Sequence, residues 1–431
     1  MAKTSAPALP RLSLLETAAV LVIAGGPLLA KGIMVRRPWV VRLLQASGFE
    51  GRAVRLLQEI RRRHGAGPVM LRLPGREQAV LLSADDVRRV LAQTPVPFES
   101  DSSEKHATLA HFEPEGSLIS RGSDRAERRA LNDLALESGC PIHSLQSRFH
   151  AVIEEEVAAL LRDEEVLPWG AFKDRWFRIV RRCLFGDHAA DDREITDMLI
   201  RLRRAGNWSF LHPKRRVLRA RFLARVAAYL QHAEAGALAE RLASHATARS
   251  APESQVGQWL FAFDAAGIAT FRALAVLAAD DALMTRGRSD VAPHYPFLRA
   301  CLLESVRLWP TTPAILRQSN QITDWDGRLM PEATGVLIHV PFLHRDNERL
   351  PFADRFAPDV WLEGKAADWP LIPFSGGPGE CPAKNLVLLL ASDTLMVLLS
   401  RRRFALPPGT KIDPMSLPAT FDQFSLALRL S

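Results

Sequence analysis

The sequence predicts a mainly α-helical protein with a small β region. Three observations carry that prediction. Most segments long enough to build a core repeat their apolar residues at helical spacing, as in "GRAVRLLQEIRRRHG" from Gly51 to Gly65. Strand-like pieces are few and short, chiefly "PVMLRLPGREQAVLLS" from Pro68 and "GVLIHVPF" from Gly335. They do not alternate with the helices, which argues against a sheet built from βαβ units.

Composition sets further bounds. A chain of 431 residues, 47% hydrophobic and 24% charged, can bury a sizeable core. Its net charge of +8 favours acidic partners or anionic surfaces, and no aromatic-basic groove motif points to nucleic acid. The four cysteines, Cys140, Cys183, Cys301 and Cys381, lack paired spacing. That argues against a disulfide framework or a zinc site, and a reducing cytoplasm fits.

Residues 1–50 read as an N-terminal extension. Its apolar stretch, Thr17 to Ala30, is short of the roughly 20 residues that span a bilayer, and Gly25-Gly26-Pro27 should break it. A helix packed on the protein is expected, with a weak peripheral membrane contact as the alternative. Next come a hairpin turning at Pro74-Gly75, a short helix in "ADDVRRVLAQ", and a long loop from Phe98 to Ser117. Ser123 should cap the helix in "SDRAERRALNDLAL". Long helices follow in "VIEEEVAALLRDEE", "FKDRWFRIVRRCLFG" and "RARFLARVAAYLQHAEAGALAERLASHATA", then a polar linker, "RSAPESQ". "VGQWLFAFDAAGIATFRALAVLAADDALM" is apolar on nearly every face and should be a buried helix. "HYPFLRACLLESVRLWP" is a helix stopped by Pro310.

Near the end, "PFSGGPGECPAKNLVLLLAS" sets one cysteine behind a glycine-rich loop and ahead of an apolar helix. Glycines let a backbone approach a flat ligand closely. Loop N–H groups and a helix N-terminus favour a thiolate, and Pro382 suits a first helical turn. A lone thiolate suits haem iron better than zinc, which takes four ligands.

This loop resembles that of the cytochromes P450, with Phe374, Gly377, Cys381 and Ala383 in the family's places. The likeness runs from about Arg52 to the C-terminus. It implies the P450 fold, a helix-rich triangular prism holding haem between a long buried helix and the helix after the cysteine loop. Residues 51–431 would be one haem-thiolate domain. Glu304 and Arg307 match the family's Glu-x-x-Arg, and Arg355 would complete the triad. Arg129 and Arg317 match propionate-binding arginines, with Arg125 one turn before Arg129. The family's cation two residues before the cysteine is replaced by Gly379. "AGIAT" matches the oxygen-side pattern, with Gly267 leaving room for dioxygen and Thr270 as the hydroxyl. The acid before Thr is replaced by Ala269, and Asp264, about 500° round the helix, points elsewhere.

The resemblance implies a monooxygenase that inserts one atom of O₂ into an organic substrate. Haem b would be its cofactor, with NAD(P)H electrons arriving through a separate partner such as a ferredoxin. The missing acid leaves a peroxide-using or non-oxidative enzyme as one alternative. A non-catalytic haem-binding protein is another, with His106 or His111 as a second ligand. The expected pocket, with Phe263, Ala266, Ala314, Ile315, Phe421 and Phe424, is apolar and implies a hydrophobic substrate.

Overall fold

The computed structural model describes residues 7–162 and 164–431. One long helix, Pro252–Leu277, runs through the centre and is buried over most of its length. Pro252 opens it, in the first turn where a missing N–H costs nothing. Apolar residues on all its faces let it pack at once on the helices Trp169–Phe185, Pro296–Leu308 and Lys384–Arg401. It begins inside the expected "RSAPESQ" linker. It also ends sooner than its apolar run suggests, because the Asp280 carboxylate accepts from Leu283 N and caps a separate helix, Asp281–Arg288. The long run from Arg219 is likewise two helices, Arg216–Gln231 and Leu238–His245, parted by a turn in which Gly236 has φ 79°.

Two other expectations change. Residues 98–117 are not all loop: they hold a strand, Phe98–Glu99, and a helix, Ser103–Leu109, capped by the Ser102 hydroxyl. Seven residues are too few to display a period. Ser123 lies within the helix Gly122–Ala135, whose N-cap position is Arg121.

The β region centres on a five-stranded sheet in the order Val69–Met70, Gln78–Val80, Gly335–His339, Ala314–Ser319, Phe98–Glu99. The first pair is the expected hairpin, with Gly75 at φ 64°. Ile315 faces Ile338 across the central antiparallel pair, and Arg317 faces Val336. The sheet has its own core, including Leu57, Leu81, Val90 and Phe342, beside the larger helical one.

The N-terminal segment is packed on this sheet. Leu12 N donates to Met70 O at 2.9 Å, and Met70 N donates to Pro10 O at 2.8 Å. Leu9, Leu12 and Val20 join the sheet core. Gly25-Gly26-Pro27 does not break the helix that follows, which runs Leu14–Lys31. Its turn Val20–Gly25 is π-helical instead. A regular α-turn would set the proline ring against the carbonyl four residues back, and the wider turn relieves that contact.

Candidate active site

The cysteine loop is held by its own backbone. Cys381 N donates to Phe374 O at 3.0 Å, and Lys384 N donates to Cys381 O at 3.2 Å. The helix Lys384–Arg401 starts after Ala383, so Pro382 lies in the turn that leads in rather than in the first helical turn. The Ser138 hydroxyl donates to Pro382 O at 2.7 Å and fixes that turn. Gly377 has φ 59°, and a Cβ there would lie 2.2 Å from the Leu91 carbonyl oxygen, so no side chain fits. Burial pushes the Cys381 thiol up to about 11, against the Ala383 N–H and the charge of Arg129. Cys381 lines a cavity. Cys183 and Cys301 are fully buried, and burial raises both thiols.

Across that cavity stands the long buried helix. Ala262, Ala265, Ala266 and Ala269 present one face, a flat wall with nothing beyond Cβ. Ala314 and Ile315 line the side, as expected. Gly267 and Phe263 do not line it. They lie one turn apart on another face, against Trp176, whose indole donates to Phe263 O at 2.7 Å. A Cβ on Gly267 would meet that ring at 2.6 Å, so this glycine makes room for tryptophan, not for dioxygen. Phe261 takes the lining place expected of Phe263. Thr270 is fully buried, and its hydroxyl donates to Ala266 O at 2.8 Å, one turn behind the wall. Phe421 and Phe424 line a second, larger cavity that shares Phe261, Ala265 and Thr311 with the first. Asp264 also lines that second cavity, away from Cys381.

Cations edge the Cys381 cavity. Arg129 bonds Glu380 O at 2.7 Å and Asp133 at 2.8 Å. Arg317 is buried and donates to the Thr94 hydroxyl at 3.2 Å. Burial, with Arg125 nearby, pushes it down to about 10. Gly379 explains itself here: a Cβ would lie 2.7 Å from an Arg317 nitrogen, so the glycine makes room for that guanidinium. Sequence reasoning missed Lys105, which lines the same cavity. Its ammonium donates to Ser100 O at 2.5 Å and Leu316 O at 3.2 Å, and burial holds it well below the usual lysine range. Arg125 donates to the Ser100 hydroxyl at 3.3 Å, just behind. Also missed was Glu113, fully buried, its carboxyl raised well above the usual range by burial. The Gln258 amide faces it from the cavity wall. His111 bonds Ser209 O and His106 bonds Asp101, and neither lines the cavity.

The expected triad is assembled differently. Glu304 and Arg307 are fully buried and pair through two hydrogen bonds of 2.6 and 2.7 Å. Arg307 then donates to the carbonyls of His344, Ala353 and Arg355 at 2.9, 3.0 and 2.6 Å. The Arg355 side chain is not a member: it is exposed and donates to Pro351 O. Phe356 beside it takes the inward position. The Trp361 indole donates instead to Glu304 at 2.7 Å, with Ala357 N on the other oxygen at 2.8 Å. The carboxylate thus keeps two neutral donors besides its arginine.

A thiol opposite a bare alanine wall, with buried or half-buried cations at the edge bonded mostly to neutral groups, fits a flat anionic macrocycle. Comparison with known proteins agrees. Residues 283–426 match the family described as Cytochrome P450. Cyclooctatin synthase of Streptomyces melanosporofaciens is 34% identical over 133 residues, 30% of this chain and 29% of that protein. Cyclooctat-9-en-7-ol 5-monooxygenase of the same organism is 30% identical over 123 residues, 28% of this chain and 27% of that protein. The matched stretch therefore spans less than a third of either relative. A crystal structure of a cytochrome P450, CYP102L1, superposes with a TM-score of 0.72 at 17% identity, covering 99% of each chain. Residues 283–426 thus match the cytochrome P450 family, and the whole chain has the cytochrome P450 fold.

Proposed function

We propose that the protein is a haem-thiolate monooxygenase, with one haem domain over residues 51–431 and Cys381 as the iron ligand. The observation that carries this is one cavity lined together by Cys381, the alanines of the long helix and the cations Arg129, Arg317 and Lys105. The name of one relative, a 5-monooxygenase of a hydroxylated apolar molecule, points the same way. Haem bound there supplies activation of dioxygen, with electrons from NAD(P)H through an external donor such as a ferredoxin. Arg129, Arg317 and Lys105 would hold its propionates, with Arg125 adding charge behind them. Phe374 and the loop backbone fix the sulfur. Ala266 and Ala269, with no side chain beyond Cβ, would leave room for a small oxidant in the cavity. The Thr270 hydroxyl donates to the Ala266 carbonyl from behind the wall and braces the helix there. Apolar side chains of the N-terminal segment, with the loop around Trp208, make a weak lipid-facing surface.

The test is spectroscopic. The reduced carbon-monoxide complex should show the strongly red-shifted Soret band of thiolate ligation. Cys381→His should lose that shift while retaining haem, and Cys183→Ala and Cys301→Ala should keep it. Loss of the shift in either alanine variant, or its survival in Cys381→His, refutes the assignment.

A further inference from the structure

The second cavity, about 560 Å³, has the size of a small-molecule site but not the usual lining. It lies between the N-terminal segment and the long buried helix, and it joins the Cys381 cavity at Phe261, Ala265 and Thr311. Several charged groups face it from both sides. Lys31 is ion-paired with Glu50, and Arg203 with Asp264 at 2.8 Å. Arg345 has Asp354 at 2.7 Å, and the remaining lining carboxylate, Asp197, is exposed. Five lining cations have no carboxylate partner among the described residues: Arg201 and Arg204 are exposed, Lys173 is partly so, and Arg36 and Arg272 remain. Of these last two, Arg272 is buried and Arg36 partly so.

What these two do bond is neutral, and it brings them together. Arg36 donates to Thr311 O at 2.7 Å and Ile33 O at 3.3 Å, and also to Gly32 O. Arg272 donates to Trp309 O at 3.0 Å and to the Gln423 side-chain oxygen at 3.0 and 3.1 Å. Both guanidinium groups thus hold the turn Trp309–Thr311, from opposite elements, at the passage between the cavities. Burial pushes Arg272 down to about 9, with Arg36 adding its repulsion and the Glu50 charge opposing it, and burial pushes Arg36 down to about 10, again against Glu50. Both stay charged at neutral pH. Two like charges, desolvated and beside one another, cost free energy that an anion between them would recover.

We infer that the substrate carries an anionic head group, a carboxylate or a phosphate monoester, which Arg36 and Arg272 hold in the second cavity while its apolar body passes Phe261 and Ala265 toward Cys381. The head-group site stands on these arginines alone, and the placement of the body rests on the monooxygenase reading. Guanidinium pairs suit both head groups because their donors match two oxygens at once.

The experiment is calorimetric titration of the haem-loaded full chain with decanoate, monodecyl phosphate and decanol, with the Soret band recorded in parallel. A charge-assisted contact should make the better anion bind about tenfold or more tighter than decanol, and the stronger of the two anions names the head group. Arg36→Gln and Arg272→Gln should each weaken that anion by about tenfold and leave decanol unchanged, while Arg272→Lys should keep much of the preference. Arg272→Gln disturbs the contacts to Trp309 and Gln423, so Arg36→Gln decides the matter where the former does not fold. Equal binding of decanol and both anions, or equal weakening of anion and alcohol in Arg36→Gln, overturns the inference. Anion binding that survives while the thiolate Soret signature is absent upholds the head-group site and sinks the monooxygenase reading. The converse result sinks the inference alone.

Discussion

At the scale of single residues, the Glu304 network sorts structural from decorative charge. Trp361→Phe removes a donor from a fully buried carboxylate and should cost about 1–3 kcal/mol, read as a lower urea midpoint. Arg355→Ala removes an exposed side chain whose neighbour Phe356 does the packing, and should stay within about 0.5 kcal/mol of the parent. A large loss in Arg355→Ala would restore the arginine to the network and contradict the geometry. Gly377→Ala is a sharper case. It forces a left-handed backbone on a residue with Cβ, at about 1–2 kcal/mol, and drives that Cβ into the Leu91 carbonyl. The loop that presents Cys381 must move, so haem retention should fall together with the melting temperature. Retained haem at an unchanged melting temperature would show that the loop can shift without harm.

Among secondary elements, the helix Val340–His344 couples stability to pH. His344 is fully buried and sits between the Glu304 network and the cavity wall. Ile372 N donates to its Nε2 at 2.8 Å, so Nε2 is unprotonated and Nδ1 gives its proton to Arg307 O at 3.2 Å. Burial, with the Arg307 charge, pushes this imidazole down to about 3, and burial pushes His339 down to about 4. Above pH 6.5, the ordinary histidine value, both rings are neutral folded or unfolded, and their contribution is whole. As pH falls from 6.5 toward 4 and then 3, the unfolded chain takes protons that the folded one refuses, so stability falls. His344→Gln should shrink the drop in urea midpoint between pH 7 and pH 4.5. An unchanged drop would mean that His344 titrates normally.

Elements also explain what the sequence could and could not reveal. The cysteine loop and the Glu304–Arg307 pair are local patterns, legible because spacing alone brings their parts together. Lys105 reaches the cavity from a seven-residue helix too short to show a period, and Trp361 reaches Glu304 across 57 positions of chain. The rotation of the long helix was hidden for another reason. Apolar residues cover all its faces, so nothing in the pattern says that Ala262 and Ala266 face the cavity while Phe263 and Gly267 face Trp176. Only packing decides that, and the decision turns Gly267 from a functional residue into a steric one.

At the scale of the whole molecule, the surface is uneven. The N-terminal helix leaves Leu21, Val22 and Leu29 exposed, and the next helix, Pro38–Ser47, adds Trp39 and Leu43. A second exposed apolar group, Trp208, Phe210 and Leu211, lies on the loop before Arg216. The two are joined, since the Arg37 guanidinium stacks 5.3 Å from the Trp208 ring. Lys214, Arg215 and Arg216 are exposed just beyond. Apolar side chains flanked by basic ones bind lipid surfaces by partial insertion plus attraction to anionic headgroups. The helix Leu14–Lys31 passes the length and hydropathy of a membrane span, but Val20 in the sheet core, Arg72 N on the Thr17 hydroxyl at 3.0 Å and the Glu16–His64 pair hold its first half against the body of the protein. Lying on a membrane is therefore the mode these contacts permit. The protein should float with vesicles containing anionic lipid, float less with purely zwitterionic ones, and be released by high salt. Replacing Trp39 and Leu211 together by serine should reduce flotation on anionic vesicles several-fold without lowering the melting temperature, since both are exposed. Equal flotation of parent and variant would place the contact elsewhere. Resistance to salt would mean that insertion, not surface charge, holds the protein to the membrane.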